Sequence, residues 1–590
     1  MGSFRMILSY WLRTKRDFTF QFTWMLVSTI FYVITPIFIG RMVGSLNPNR
    51  PGGANVIELL IYFGLILFFA LLRYLLNRAA RLRGAEVSAR AVYYLRSDIS
   101  NAIYRQSFSY FDKTETGQLI SRATSDIEET QMIFSMGLTL SLQSFLQIGG
   151  VIIGFFFFSP LITIILITVI FSSLGFSFYI AKKLRPIFLE IRDSFGDLTN
   201  TIRENIIGAQ VVRMFSTQKK EQQKFMENNE RFYKASVKSV KWNSFFIPII
   251  VIVTGFMSVI TLFFGGLNVI KGNDMTLDSL ITLQSYVIAI SFPLMMLGQI
   301  MLLYIQADAA LIRVREVLDS TPEVQDLPDA VPGDSIIGDI EFENVSFGYT
   351  PDHRILKNVS FQVQAGKKLA ILGTTGSGKS TIISLIPRFY DVNEGVIKID
   401  KKEIQKYIIK DLRSNIGIVS QETFLFDKSI SDNIAYGKEN ATEDEIIQAA
   451  KIANLHDFII SLPKGYKSLV GERGTRLSGG QKQRLTIARA LIIKPKILIF
   501  DDSTSSVDVE TEYKIQNALA EIMKDTTTII ITQRISAIRD ADSILILDRG
   551  RVVGFGTHDE LINHNVLYSQ IYETLYQKQK LKVKIEGNSN

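Results

Sequence analysis

Lys379 and Ser380 stand near the end of the run GTTGSGKST (373–381), in which glycines and hydroxyl-bearing residues lead up to a single lysine. The spacing fits G-x-x-x-x-G-K-[ST], where the glycines let the backbone curl until consecutive N–H groups point at phosphate oxygens. A helix beginning near Lys379 adds its positive end, Lys379 a point charge for the β- and γ-phosphates, and Ser380 a hydroxyl for magnesium. Further on, the run KILIFDD (496–502) ends in two adjacent carboxylates, Asp501 and Asp502. Between these motifs lies LSGGQ, comprising Leu477, Ser478, Gly479, Gly480 and Gln481, at the start of the helical stretch QKQRLTIARALI. A serine and two glycines at a helix N-terminus make a second anion site. The shared chemistry is the holding of phosphate, and the first motif names the ligand class as a nucleotide.

The elements that must position these residues read as an α/β domain. KILIF is a buried strand of four apolar residues, IGIVSQETFLF carries an apolar strand ahead of Gln421, and IEFENVSFGY is strand-like up to Tyr349. Phosphate loop, LSGGQ and carboxylate pair, in this order, resemble the nucleotide-binding domain of ABC transporters. The resemblance implies ATP and Mg2+ as ligands. It assigns Gly373, Thr374, Thr375, Gly376, Ser377, Gly378, Lys379, Ser380 and Thr381 to the phosphates, and Tyr349 to stacking on adenine through its flat ring. Ser380, Gln421 and Asp501 fall at magnesium positions. LSGGQ faces the ATP held by an opposite subunit, so one such domain completes neither site and a dimer is implied. SLVGERG (468–474) resembles an exporter-specific loop, and SSVD (505–508) a loop lying across the dimer interface.

Upstream, the composition changes. The chain has 590 residues, 47% of them hydrophobic and 40 of them phenylalanine, with a mean hydropathy of +0.19. That length asks for at least two domains, and that apolar content for membrane spans. Six apolar stretches, roughly 18–43, 55–77, 132–158, 160–180, 245–270 and 278–303, are each long enough to cross about 30 Å of hydrocarbon. Segment 78–131 holds eight Lys or Arg and 181–244 holds thirteen, whereas the links NPNRPGG, SP and KGNDMTLDS hold few. The positive-inside rule therefore puts both long segments, both termini and the nucleotide domain in the cytoplasm. The net charge of +8 and pI of about 9.2 fit a membrane surface better than nucleic acid, which is not an expected partner. The absence of cysteine excludes disulfides, thiolate catalysis and cysteine-held metals.

The start, MGSFRMILSYWLRTKRDF, lacks the layout of a secretory signal and reads as an amphipathic interfacial helix. Phe111, Gly117, Leu119, Arg122 and Asp126 resemble the first coupling-helix region of ABC exporters, and Glu204, Gly208, Val212 and Phe215 the second. Within the spans, Arg73, Gln147, Gln299 and Gln306 are expected to turn inward, with Arg73 snorkelling toward the cytoplasmic surface. Met295, Met296 and Met301, with Phe292 and Gln299, make an adaptable apolar wall. The expected order is a membrane domain over 1–320, an extended proline-containing linker over 321–338, the nucleotide-binding domain over 339–580 and a polar tail over 581–590. The fold class is thus an α-helical membrane domain of six spans with long cytoplasmic extensions, then an α/β P-loop ABC ATPase domain.

Two positions depart from the family pattern. Asp502 stands where the family carries the glutamate that positions or deprotonates the attacking water, and it is one methylene shorter. Gln533, in TTIIITQR, stands where the family carries a histidine toward the γ-phosphate; glutamine donates a hydrogen bond but carries no charge and relays no proton. Both changes beside an intact phosphate loop imply a site that binds ATP and cleaves it slowly. That resembles the degenerate chain of a bacterial heterodimeric multidrug exporter in the cytoplasmic membrane. Its partner would be a homologous half-transporter and its cargo amphipathic small molecules. The alternatives are a nucleotide-gated channel or regulator, and a lipid or peptide exporter of the same fold.

Overall fold

A computed structural model describes residues 3–46, 54–271, 275–350, 352–501 and 525–587, without the side chains of residues 3, 4, 177, 181, 185, 243, 246, 247, 302, 305, 306 and 578–587. Asp502 and the SSVD segment lie outside the described residues. The chain divides into two compact units, Met1–Arg105 with Glu115–Ser320, and Gln106–Thr114 with Thr321–Asn590.

The first unit is helical: α1 (Ser3–Leu12), α2 (Lys15–Gly44), α3 (Val56–Tyr104), α5 (Thr116–Ala123), α6 (Ser125–Met132), α7 (Leu138–Phe158), α8 (Pro160–Ile207), α9 (Ala209–Met214), α10 (Gln218–Ile270) and α11 (Leu277–Asp319). The short α4 (Phe108–Lys113) goes with the second unit. A π-helical turn, Ile133–Gly137, joins α6 to α7. Among the described residues, six helical segments are long and apolar enough to cross a membrane, and each overlaps one of the six apolar stretches, with ends that differ by up to a few residues at 55–77, 245–270 and 278–303. At 1.5 Å per residue the 53 residues of α10 extend about 80 Å, so most of that helix lies beyond a hydrocarbon layer of about 30 Å. Starts are fixed locally. The Asn55 side chain accepts from the N–H groups of Ile57 and Glu58 ahead of α3, and Ser159 accepts from Ile162 N–H ahead of Pro160 in α8.

Burial within this unit is uneven. None of the apolar window of α3 is buried, as a surface meant for lipid or another chain would be. Tyr286 of α11 is fully buried: its hydroxyl donates to the Val33 carbonyl at 2.7 Å and its ring lies on Gly154 of α7, where a Cβ would come within 2.7 Å of Cζ. Several polar groups pair across helices, as low-dielectric packing favours, although the buried Gln21 Oε1 has no partner among the described residues. Gln21 donates to Thr139 at 3.1 Å and Ser28 to Asn77 at 2.9 Å. Arg73, expected to reach for the surface, is half-buried, with its guanidinium 4.7 Å above the Tyr32 ring. Gln147 is buried, Gln299 and Phe292 are exposed, Met295, Met296 and Met301 are half-buried, and the Gln306 side chain lies outside the described residues.

The second unit carries two sheets. Strands β1 (Ile340–Phe347), β2 (Leu356–Val363), β4 (Glu394–Ile399) and β5 (Lys402–Glu403) form an antiparallel sheet in the order β2-β1-β4-β5. Strands β3 (Lys368–Gly373), β6 (Ile416–Val419), β7 (Ile497–Asp501), β8 (Thr527–Ile531), β9 (Ser543–Asp548) and β10 (Arg551–Gly556) form the other, in the order β10-β9-β3-β8-β7-β6. All but β10 run parallel. Their near-continuous isoleucine and leucine are what a sheet covered on both faces requires. The helices used below are α12 (Lys379–Leu385), α13 (Ile409–Ser414), α14 (Ile430–Ala435), α15 (Glu443–Ile452), α16 (His456–Ser461) and α17 (Gly479–Leu491).

One ion pair ties the start of the third span to the end of the last. Arg313 of α11 grips Asp126 of α6 with two hydrogen bonds, at 2.9 and 2.5 Å, and Asp126 is 3% exposed. Removing one partner of a buried pair costs about 3–5 kcal/mol, which the partial exposure of Arg313 lowers to about 2–3. Asp126→Ala should therefore depress the melting temperature of the detergent-solubilised protein. Asp126→Leu combined with Arg313→Met should recover part of the loss.

Candidate functional site

Parallel pairing brings the chemistry-bearing residues to one edge of the larger sheet. Ile371 of β3 is in register with Ile531 of β8, Asp501 of β7 also with Ile531, and Val419 of β6 with Phe500 of β7. The strands thus end level at their carboxyl ends, where open α/β sheets bind ligands. Gly373 ends β3, Asp501 ends β7, Gln421 lies two residues beyond β6 and Gln533 two beyond β8. Because β8 lies between β3 and β7, the Gln533 loop emerges between the phosphate loop and the carboxylate strand.

The phosphate loop turns directly into α12. Gly378 is its N-cap, with φ +102°, and a Cβ there would meet Leu356 Cδ2 at 2.6 Å, so both backbone and packing require glycine. The first N–H groups of α12 have no intrahelical acceptor and face the loop as donors. Lys379 Nζ donates to the carbonyls of Gly373 at 2.9 Å and Thr374 at 2.8 Å, which folds the side chain back over the loop. Thr374, Thr375, Gly376 and Ser380 are exposed, whereas Ser377 and Thr381 are buried. The Ser377 hydroxyl has no hydrogen-bond partner among the described residues. Tyr349 sits beside α12, its hydroxyl 3.5 Å from Thr381 Oγ1, with its ring 40% exposed. Gln421 and Gln533 are exposed, and Asp501 is half-buried. A hydroxyl, an amide oxygen and a carboxylate are hard oxygen donors, the set that suits Mg2+.

LSGGQ sits elsewhere, on the helical layer. Ser478 caps α17: its hydroxyl accepts from Gln481 N–H at 3.3 Å, and Gln481 Oε1 accepts from Ser478 N–H at 2.9 Å. This reciprocal cap fixes the turn and leaves Ser478 and Gly479 exposed. Leu485, Ile487, Ala488 and Leu491 anchor the helix in an apolar cluster shared with α14, α15 and α16.

Two residues that the motifs do not flag connect these parts. Arg489 of α17 donates to the Asn433 carbonyl at 2.9 Å, the Phe424 carbonyl at 2.8 Å and Asn433 Oδ1 at 2.7 Å. Asn433, fully buried, also accepts from Phe426 N–H and donates to the carbonyls of Phe426 and Ser429. Burial pushes the Arg489 guanidinium down from its ordinary pKa, and its bonds offset that desolvation. The chain after Gln421 is thereby pinned to the helix that LSGGQ opens. The available signal was a lone arginine among buried positions of an apolar helix face.

The segment 106–114 packs within this same unit. Phe108 stacks on Phe389 with ring centroids 4.1 Å apart, and the Tyr390 hydroxyl donates to Asp112 at 2.7 Å. Burial, then the bond to Asp112, raises the Tyr390 pKa. Tyr390 also meets Tyr349 edge-on at 5.1 Å. An aromatic chain thus runs from the ring beside the phosphate loop to α4. Of the first coupling-region residues, Phe111 is exposed, Leu119 is buried, and Arg122 pairs with Glu316 at 3.1 Å.

Residues 18–294 match the profile of the ABC transporter transmembrane region, and residues 356–505 that of the ABC transporter domain. A putative multidrug export ATP-binding/permease protein of Bacillus subtilis (strain 168), YgaD, is 37% identical over 82% of this chain and 84% of its own. An ATP-dependent lipid A-core flippase of Syntrophus aciditrophicus (strain SB) is 35% identical over 85% and 84%. The structure of a bacterial Atm1-family ABC exporter with ATP bound superposes with a TM-score of 0.83 at 28% identity, covering 95% of this chain and 99% of that one.

Arg489→Lys keeps the charge but cannot reach three acceptors at once. The lost bonds, about 2–3 kcal/mol, should loosen the loop that follows Gln421. The expected outcome is roughly tenfold slower ATP turnover in the assembled transporter, with nucleotide affinity nearly unchanged. Steady-state hydrolysis and equilibrium nucleotide binding check the two halves of that statement.

Proposed function

From the premise that the chain belongs to the ABC transporters, as a half-transporter uniting a six-span membrane region with an ABC ATPase domain, we propose that it is the degenerate-site half of a heterodimeric exporter. The observation that carries this reading is Gln533 beside an intact phosphate loop, together with Asp502 after Asp501. Gln533 projects from the loop between the phosphate strand and the carboxylate strand, where a histidine would supply charge and a proton. A glutamine there orients by hydrogen bonding alone. Asp502 has the charge of a glutamate without its reach.

In this reading Lys379 and the loop N–H groups hold the β- and γ-phosphates, Tyr349 stacks on adenine, and Ser380, Gln421 and Asp501 hold magnesium. Magnesium, when bound, neutralises charge on the phosphate oxygens. ATP binding draws the two nucleotide domains together, and the Ser478 turn completes the partner's competent site. Two surface features support a partner. The capped signature turn is exposed, and around α9 the apolar Ile206, Ile207, Val211, Met214 and Phe215 are each more than half exposed. Both termini and both basic segments lie on the cytoplasmic side. The cargo is an amphipathic small molecule of multidrug type, handled by the methionine-bearing face of α11. Lipid export is the second reading, favoured by the likeness to a protein described as a flippase.

Purified alone, the chain should bind ATP and turn it over poorly, and adding its partner half-transporter should restore turnover. Fast hydrolysis by a verified homodimer would sink the heterodimer. Asp502→Glu with Gln533→His should raise turnover at this chain's own site by about tenfold or more, measured with the partner's site disabled.

A further inference from the structure

A basic cavity of about 440 Å³ lies where α1, α2 and α3 meet, within the usual range of about 300–1,000 Å³ for small-ligand sites. Its charged lining is Arg13, Lys15, Arg16, Arg83, Arg90 and Asp17. Three of the five cations have carboxylate partners: Arg90 with Asp17 at 2.5 Å, Arg83 with Glu86 at 2.8 Å and Arg13 with Asp98 at 2.9 Å. Asp98 also accepts from the Tyr10 hydroxyl at 2.9 Å. Lys15 and Arg16 are exposed, and their side chains have no partner among the described residues. The cavity therefore keeps two positive charges that the protein does not neutralise, and such a concavity concentrates anions.

Its depth along the helices identifies the anion. The Ser28–Asn77 hydrogen bond and the Asp17–Arg90 ion pair fix α2 against α3, and interpolation between them sets Arg83 level with Phe22 to Trp24. About twenty helical residues span the hydrocarbon. Counted back from the end of α2 at Gly44, the hydrocarbon edge falls near Trp24; Phe20 then stands about 6 Å out, in the headgroup layer, and the Lys15 and Arg16 backbones about 12–14 Å out, on its aqueous side, from where their long side chains reach back to it. Phe20 lines the cavity, is 46% exposed and lies 6.4 Å from the Trp24 ring, as aromatics at that depth do. A soluble anion would have no use for such a rim. An acyl chain would.

We infer that this cavity binds the phosphate headgroup of an anionic glycerophospholipid, with Lys15 and Arg16 as its free cations and Phe20 against the acyl chains. The inference rests on the chain being a multi-pass membrane protein and on this edge of its spans facing the leaflet that carries the lipid. It does not depend on the degenerate-site reading, so either can fail alone.

The test is native mass spectrometry of the full-length chain released from bilayers of equal phosphatidylglycerol and phosphatidylcholine. Wild type should retain phosphatidylglycerol at least about fivefold over phosphatidylcholine, and raising the salt should erase that preference, as for an electrostatic contact. Lys15→Gln with Arg16→Gln should bring the ratio toward one with an unchanged melting temperature, since both side chains are exposed. Equal retention by wild type, a preference that survives high salt, or a preference unaltered in the double variant would each overturn the assignment. Glycerol 3-phosphate or inorganic phosphate that displaced the lipid at matched concentration would overturn it in favour of a free-phosphate site. Should the double variant not fold, Lys15→Gln or Arg16→Gln alone is expected to lower the ratio, and a ratio unchanged in both single variants would overturn the assignment.

Discussion

The in-register parallel pairing of β3, β8 and β7 is the constraint on which the nucleotide site depends. Backbone hydrogen bonds fix where each strand ends; Asp501, Gln421 and Gln533 lie within two positions of such an end, and the loop that carries Lys379 and Ser380 starts from one at Gly373. A one-residue slip of β8 would exchange the faces of Ile529, Ile530 and Ile531 and misfit the packing on both sides of the sheet, so close packing favours the alignment. Gln533 therefore emerges between the phosphate loop and Asp501 for reasons of packing. Whatever residue occupies that position inherits the place, and its side-chain chemistry alone decides what the site can do.

The membrane unit obeys a different rule. Its apolar windows leave much surface uncovered, and its specificity comes from polar matches between helices: Tyr286 to Val33, Gln21 to Thr139, Arg73 over Tyr32, Arg313 to Asp126. Each ties helices far apart in sequence. Hydrocarbon rewards any apolar side chain equally, so these matches and close approaches such as Gly154 under Tyr286 are what distinguish one helix arrangement from another. Near Lys15 and Arg16, at one end of the spans, the balance shifts from matching to surplus, and the cavity there keeps charge left over.

Between phosphate loop and LSGGQ the connecting parts are ordinary residues. Arg489 and Asn433 hold the chain after Gln421 to α17, and Tyr390 joins the Tyr349 ring to Asp112. A half-buried arginine with three bonds to carbonyl and amide oxygens is costly to assemble and costly to break. That cost couples two segments whose own contacts are exposed and weak.

Several things were legible in the amino-acid order alone. The phosphate loop, LSGGQ and the carboxylate pair each depend on local backbone or local spacing, and the six apolar stretches need only a count of consecutive side chains. The identities of Asp502 and Gln533 were equally plain, because they follow directly on motifs that can be read locally. What the order left open was set by partners distant in the chain. Arg73 carried no mark of the Tyr32 ring that holds it, nor Arg489 of the three acceptors that surround it. The surplus charge of Lys15 and Arg16 appears only once Arg90, Arg83 and Arg13 have claimed their carboxylates. Short-range geometry is written in neighbouring residues, whereas pairing, desolvation and leftover charge are properties of space, fixed only when the helices and strands have packed.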